Sequence, residues 1–427
     1  MHVPRYVERL TPVKEAITAI TSVVSPVTEV VEVATWDAIG MVLAEDVKVG
    51  YDFPPRPRAA YDGYAVRSDD TPGRLKLVGE ATIGIVDVDV RVEQGTAVYV
   101  STGAYLPEGA DTVVPEEAVR IEGDYIVVDR KFTRGKNIDP VGSYIAKGSV
   151  LLRKGHVVTE LDAVGLLDVG VTSVKVYRKL RVGIIATGTE LFEPYMSPKA
   201  SKRILGGEVA ETTAKLVSNL ITRFSPWASI AWKILLPDNT ETIAWYLTRQ
   251  TDTTDLVVLT GGSGPSNVDP FYQLAQRLKA RVLFRGLFVK GGRPTSAMLL
   301  EDRLPVIVLS GHPISALHGY VRLLYHVLKY MGNVERGSTP PLNAYARLAA
   351  PIKSKRPQPV KVKLRVSPEG YLEAYPLPPQ RQMSSVTVSN VEADGIAVLE
   401  EARVYDEGEW VPVYMYREPL PASTTKT

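Results

Sequence analysis

Three short polar clusters in this chain each follow a run of apolar residues. They are Thr187-Gly188-Thr189-Glu190, Thr260-Gly261-Gly262-Ser263-Gly264 and Ser310-Gly311-His312-Pro313. Glycines after a buried strand let backbone N–H groups approach an anion closely, and the neighbouring hydroxyls add donors. The second cluster runs on to Asp269, a carboxylate at the start of the next segment. Two cations flank a further glycine turn, Lys290-Gly291-Gly292-Arg293-Pro294. Together these residues suit a ligand that carries phosphate or another oxyanion. Neither a G-x-x-x-x-G-K-[ST] nor a G-x-G-x-x-G fingerprint is present, so the common nucleotide-binding loops are not in use.

The elements that position the clusters are legible from pattern. Residues 179–335 alternate strand and helix signals: strands at 181–186, 229–235, 255–260 and 305–309, helices at 208–224, 240–250, 270–279 and 313–331, and a hairpin spanning 281–300. Such alternation implies right-handed crossovers and a three-layer α/β domain with a mostly parallel sheet. Ligands of such sheets sit at the carboxyl ends of the strands, where the three clusters fall.

Around this core the chain divides into further pieces. Residues 1–50 and 142–178 are expected to form a discontinuous N-terminal domain, with a helix after Thr11-Pro12, a short one over Thr35–Leu43 and one at 159–168. The proline-rich YDFPPRPRAA leads into an inserted β-rich domain, residues 51–141, holding Asp62 beside Gly63 and the polar loop around Thr102. Residues 342–420 read as a C-terminal small β-barrel, followed by a polar tail at 421–427.

Composition narrows the function classes. The 427 residues carry a net charge of +2, which offers no global attraction for nucleic acid or a membrane surface, so any anion site must be local. The absence of cysteine excludes disulfides, thiolate catalysis and Cys-ligated metals. No apolar run is long enough to span a bilayer and the N-terminus lacks a signal-peptide core; a cytoplasmic enzyme or binding protein is expected. The lack of cysteine with abundant proline also hints at a thermophile. His312, His318 and His326 lack H-E-x-x-H spacing and read as helix-face residues rather than zinc ligands.

Taken in order, these motifs resemble the molybdopterin molybdenumtransferases, the family that includes the E domain of gephyrin. The resemblance rests on YDGYAV at 61–66, TGAYLPEGADTVV at 102–114, the glycine run from Gly142 to Gly148, ATGTEL at 186–191, TGG at 260–262, Asp269 and SGHPISA at 310–316. It implies that molybdate or tungstate is inserted into adenylylated molybdopterin with release of AMP, in a homodimer and with Mg2+. A molybdopterin adenylyltransferase is the implied protein partner. Carried over by position, Asp62, Thr102, Glu190 and Asp269 would be catalytic, and Glu190, Asp238 and Asp269 would hold the metal. Thr187, Gly188, Gly261, Gly262, Lys290, Arg293, Pro294, Ser310, Gly311, Ser315 and Ser384 would bind substrate or oxyanion. Departures from the family pattern include Gly142-Ser143-Tyr144, Ser266-Asn267 and His312, which leave open a non-catalytic molybdopterin-binding paralogue acting as carrier or scaffold.

Overall fold

The computed structural model describes residues 9–84, 90–196, 199–261, 269–338, 340–383 and 387–419. The described chain forms two compact units. One comprises Asp46–Lys154 with Val164–Thr172; the other comprises the remainder.

The larger unit is built on a six-stranded sheet of β1 (Leu180–Thr187), β2 (Ala228–Leu236), β3 (Leu256–Gly261), β4 (Arg281–Arg285), β5 (Ser296–Leu300) and β6 (Leu304–Leu309), in the order β2-β1-β3-β6-β5-β4. The first four in that order are parallel, and the β4–β5 hairpin closes one edge in antiparallel fashion. Between them run α1 (Thr213–Phe224), α2 (Thr240–Leu247), α3 (Pro270–Leu278) and α4 (Pro313–Gly319). Val182, Ile184, Leu256, Val258 and Ile307 pack into one core cluster, while Ile185, Val257, Leu259 and Val306 pack into another. A sheet covered on both faces explains why its strands read as unbroken apolar runs. Each such buried side chain is worth about 1.5–3 kcal/mol, so the strand ends are fixed by a rigid scaffold.

At the amino end of this sheet Asp255 receives Arg178 and Arg181, with contacts of 2.6 and 3.0 Å. Burial opposes ionisation of Asp255, but hydrogen bonds from the two guanidinium groups prevail and lower its pKa. The carboxylate that opens β3 is therefore a structural anchor.

The same unit contains a closed barrel of Ala344–Leu348, Leu372–Pro376, Gln358–Val366, Gly395–Leu399 and Trp410–Met415. Its N-terminal part begins with the helix Val13–Thr21, as the Thr11-Pro12 signal implies. The helix expected over Thr35–Leu43 is absent. Gly40 adopts φ +79°, residues 35–40 are turns, and Val42–Leu43 pair antiparallel with the strand Ser173–Tyr177. Their apolar spacing reflects burial in a short strand, whereas Trp36 stays 54% exposed. The helix expected from 208 starts only at Thr213, because Val209–Ala210 pair with Leu191–Phe192.

The smaller unit carries a six-stranded sheet ordered Thr112–Pro115, Gly63–Val66, Thr96–Val100, Gly73–Ala81, Tyr125–Val128 and Val119–Glu122. Gly63–Val66 is buried along its whole length between two neighbours. A Cβ on Gly63 would lie 2.1 Å from the Val114 carbonyl oxygen, so only glycine permits this close pairing.

Candidate functional site

β1 and β3 pair through Thr187 and Gly261, and β3 and β6 through Thr260 and Leu309, so the three glycine-bearing ends lie side by side. Gly261 has φ +100°, and a Cβ there would sit 2.3 Å from the Thr187 carbonyl oxygen. A Cβ on Gly311 would reach the Cα of Gly261 at 3.2 Å. The Thr213 hydroxyl, at the start of α1, donates to the Gly311 carbonyl at 2.7 Å and ties that turn down. Ser310 is 2% exposed, and its Oγ accepts from the His312 N–H at 3.2 Å.

The Thr187 hydroxyl is the unusual member of this group. Thr187 is 2% exposed, and its Oγ1 has no hydrogen-bond partner among the described residues. An unmade hydrogen bond of this kind costs about 1–3 kcal/mol.

Beyond Gly188, Glu190 is exposed and folds back, its Oε1 lying 2.9 Å from where a Gly188 Cβ would be. Asp238 follows β2, whose Leu236 pairs with Thr187, and is also exposed. Neither side chain makes an ion pair or hydrogen bond among the described residues. Asp269 differs. It caps α3, accepting from the Phe271 N–H at 3.0 Å, and its other oxygen pairs with Arg285 at 2.8 Å. The two side chains are 8% and 13% exposed, and Arg285 also donates to the Arg293 carbonyl at 2.6 Å and the Ser296 hydroxyl at 2.7 Å. Asp269 is therefore a bracket: one oxygen caps α3 and the other pairs with Arg285, which in turn holds the Arg293 carbonyl.

That turn packs against α4. A Cβ on Gly291, at φ +76°, would lie 2.2 Å from the Oγ of Ser315, which is buried. The Lys290 N–H donates to the Pro357 carbonyl at 2.7 Å, joining the turn to the barrel, and the Pro294 carbonyl accepts from Ser296 at 3.0 Å. Partial burial of the Lys290 amine, and then the guanidinium of Arg356, lower its pKa. Lys290, Arg293 and Arg356 form no ion pair among the described residues. Cations gathered without a carboxylate mark a place for an anion.

In the smaller unit the structure brings Asp62 and Thr102 together: the Thr102 N–H donates to Asp62 Oδ1 at 2.6 Å. The loop is held by Gly103, whose N–H donates to the Ala59 carbonyl at 2.7 Å. Next to Ala59, the Arg58 guanidinium lies over the paired rings of Phe53 and Tyr144, 5.2 Å from each centroid. The Tyr144 hydroxyl bonds Asp139, an interaction that, with burial second, raises its pKa.

Comparison with known proteins now has a geometry to act on. A family model described as the MoeA N-terminal region (domain I and II) matches residues 11–170, and one for the MoeA C-terminal region (domain IV) matches residues 345–416. A third, described as a probable molybdopterin binding domain, matches residues 183–330, the segment that carries all three strand ends. The chain belongs to the MoeA family. A putative molybdopterin biosynthesis protein of Methanocaldococcus jannaschii is 27% identical over 90% of this chain and 92% of its own length. A molybdopterin molybdenumtransferase of Staphylococcus aureus is 28% identical over 75% of each chain. The crystal structure of the molybdopterin biosynthesis MoeA protein from Pyrococcus horikoshii OT3 is 28% identical, covers 96% of this chain and all of that one, and superposes with a TM-score of 0.76. Membership of the MoeA family places the chain in molybdenum cofactor biosynthesis, and these relatives support a transferase role.

Gly262 and Ser384, both expected to bind ligand, lie outside the described residues. Four MoeA-site candidates were not legible as such in the sequence: Arg285, Arg356, Arg58 and Glu211. Glu211 is 3% exposed, caps α1 through the Ala214 N–H at 2.6 Å and pairs with Lys215. Its position next to two threonines before an apolar helix was the available signal.

Proposed function

We propose that this chain inserts molybdate or tungstate into adenylylated molybdopterin and cleaves the phosphoanhydride, water adding to phosphorus to give AMP and the pterin's terminal phosphate. The observation that carries this reading is the side-by-side placing of three glycine-bearing strand ends, with a buried Thr187 hydroxyl that has no partner among the described residues, in a unit whose Lys290, Arg293 and Arg356 form no ion pair among those residues. The turns present backbone N–H groups to phosphate oxygens, and Lys290, Arg293 and Arg356 supply the field for a tetrahedral dianion. In the smaller unit Asp62, its Oδ1 held by the Thr102 N–H, is proposed as a catalytic carboxylate.

Mg2+ takes one or two carboxylates together with substrate phosphates and retains several waters. Glu190 and Asp238, exposed at adjoining strand ends and without partners among the described residues, fit that requirement and would hold it, and Asp269 would join them only by parting from Arg285. When bound, the ion would neutralise charge on the phosphoanhydride. The protein is proposed to act as a homodimer, which light scattering tests, and with a molybdopterin adenylyltransferase as the source of its substrate. Among the described residues no helix is long and apolar enough to cross a membrane, in keeping with a cytoplasmic location.

A second reading, a molybdopterin-binding carrier without turnover, draws support from the Arg285 lock on Asp269 and from Tyr144 standing where the family pattern has a carboxylate. Incubation with adenylylated molybdopterin and each oxyanion separates the two. AMP release supports the enzyme, and tight pterin binding without AMP supports the carrier.

A further inference from the structure

Tyr144 is a surface ring that is held in place without being covered. Its backbone N–H donates to the Phe53 carbonyl at 3.1 Å, its hydroxyl bonds Oδ2 of Asp139, and its ring pairs with that of Phe53 at 6.2 Å between centroids. Phe53 and Ile145 exchange two further backbone hydrogen bonds, of 2.8 and 3.0 Å, which fix the two loops against each other. A tyrosine that only filled the gap between these loops would be buried, yet Tyr144 stays 55% exposed. An aromatic face that is fixed in advance and left open is a surface for stacking.

Arg58 adds a charge to this surface. Its guanidinium lies over both rings, and its short strand, Arg58–Ala59, pairs with Ile138–Asp139 and bridges to Tyr105. Nε of Arg58 is buried without a hydrogen-bond partner, and no carboxylate forms an ion pair with it, among the described residues. A part-buried guanidinium without a carboxylate favours an anion, and its planar fork suits a phosphate. Asp139 spends Oδ2 on the tyrosine, which leaves Oδ1 to accept from an N–H. The Arg58–Ala59 strand also carries the loop of the proposed catalytic carboxylate. Ala59 accepts from the Gly103 N–H at 2.7 Å and donates to the Ala104 carbonyl at 2.9 Å, next to Thr102, whose N–H holds Asp62. Ring, cation and acceptor therefore share one framework with Asp62, all within the smaller unit.

Resting on the functional reading above, we propose that Tyr144, backed by Phe53, forms with Arg58 and Asp139 a subsite for a fused nitrogen heterocycle of the substrate. The ring stacks on Tyr144, its exocyclic amine donates to Asp139, and the phosphate it carries is drawn to Arg58. Two parts of an adenylylated pterin have this chemistry, the purine of the AMP half and the pterin itself.

The test uses the full-length protein and the variants Tyr144→Phe, Tyr144→Leu and Arg58→Met, with AMP and anaerobically prepared molybdopterin as separate probes in titration calorimetry and melting temperature as the check on folding. Tyr144→Leu keeps apolar bulk against Phe53 but has no π-face, so it should weaken at least one probe by about 10-fold, the size of one lost base–aromatic stack. The probe that loses affinity identifies the ring seated here, the purine for AMP and the pterin for molybdopterin. Tyr144→Phe retains the stacking face and should bind that probe as the parent does. Arg58→Met should weaken it and make the remaining binding less sensitive to salt, and it decides the matter should Tyr144→Leu fail to fold. KM for adenylylated molybdopterin in AMP release should rise in Tyr144→Leu along with the loss of affinity. A parent that binds neither probe, parental affinity for both in a folded Tyr144→Leu, or a loss in Tyr144→Phe as large as in Tyr144→Leu would overturn the proposal. A parent that binds a probe through Tyr144 yet releases no AMP from adenylylated molybdopterin would instead refute the functional reading and leave the subsite standing.

Discussion

Asp269→Asn separates two roles that a carboxylate at a strand-to-helix turn could play. Asparagine is as good an N-cap as aspartate, so the bond to the Phe271 N–H survives and only the charge is removed. What is lost is the 2.8 Å pair with Arg285, whose guanidinium remains 13% exposed with no carboxylate facing it. Breaking a buried pair from one side costs about 3–5 kcal/mol, and residual exposure puts this case near the lower figure, so about 3 kcal/mol is expected. That loss corresponds to a fall in melting temperature of about 5 °C for a unit of roughly 300 residues, at about 2.1 cal/mol/K of unfolding entropy per residue. The double variant Asp269→Asn/Arg285→Met removes both charges and should recover most of the loss, because an apolar replacement of the whole pair is often neutral. Calorimetry on the three proteins, with AMP release measured at several magnesium concentrations, checks the argument. A melting temperature within about 1 °C of the parent, below the roughly 1.5 °C that 1 kcal/mol would move it, combined with a strongly raised magnesium requirement, would show that Asp269 is a metal ligand and that the bracket reasoning is wrong.

Other expectations follow from single contacts. Gly261→Ala places a Cβ 2.3 Å from the Thr187 carbonyl oxygen at φ +100°, so it should destabilise by at least about 1 kcal/mol and abolish ligand-induced thermal protection. Lys290→Ala/Arg293→Ala should weaken oxyanion binding and flatten its dependence on salt, read as the slope of affinity against ionic strength. His318 is buried, neither ring nitrogen has a well-formed hydrogen bond among the described residues, and burial, followed by Arg322 and only weakly opposed by the Lys290 backbone, lowers its pKa to about 3. Its folded pKa lies below the unfolded value, so the unfolded chain binds the extra proton, and stability is full above about 6.5 and is lost on acidification at up to about 1.4 kcal/mol per pH unit. His318→Leu should therefore be near neutral at pH 7 and relatively stabilising at pH 5 in chemical denaturation; equal effects at both pH values would contradict the assignment.

How much was readable beforehand depends on the kind of residue. The sheet was legible because strands buried on both faces print continuous apolar runs, and its helices because Asp269-Pro270 and Asn239 carry capping chemistry. The closed barrel was legible from alternation. Val42–Leu43 was misread because two buried residues near a turn have no period to measure, and Gly40 gave the only warning. Glycines at the strand ends announced an anion site, but charge alone did not distinguish Lys290, in the turn packed on Ser315, from Lys361, buried at 1% exposure in the barrel strand Gln358–Val366. Nothing in the sequence singled out Arg285; only the fold shows that it meets Asp269 16 residues earlier.

The central claim is tested most directly by incubating the purified protein with adenylylated molybdopterin, magnesium and either molybdate or tungstate, and following AMP. The account predicts AMP release that depends on the oxyanion and falls sharply in Lys290→Ala/Arg293→Ala and in Asp62→Asn. Stable binding of the adenylylated pterin with no AMP formed by the parent protein, at any oxyanion concentration, would contradict it.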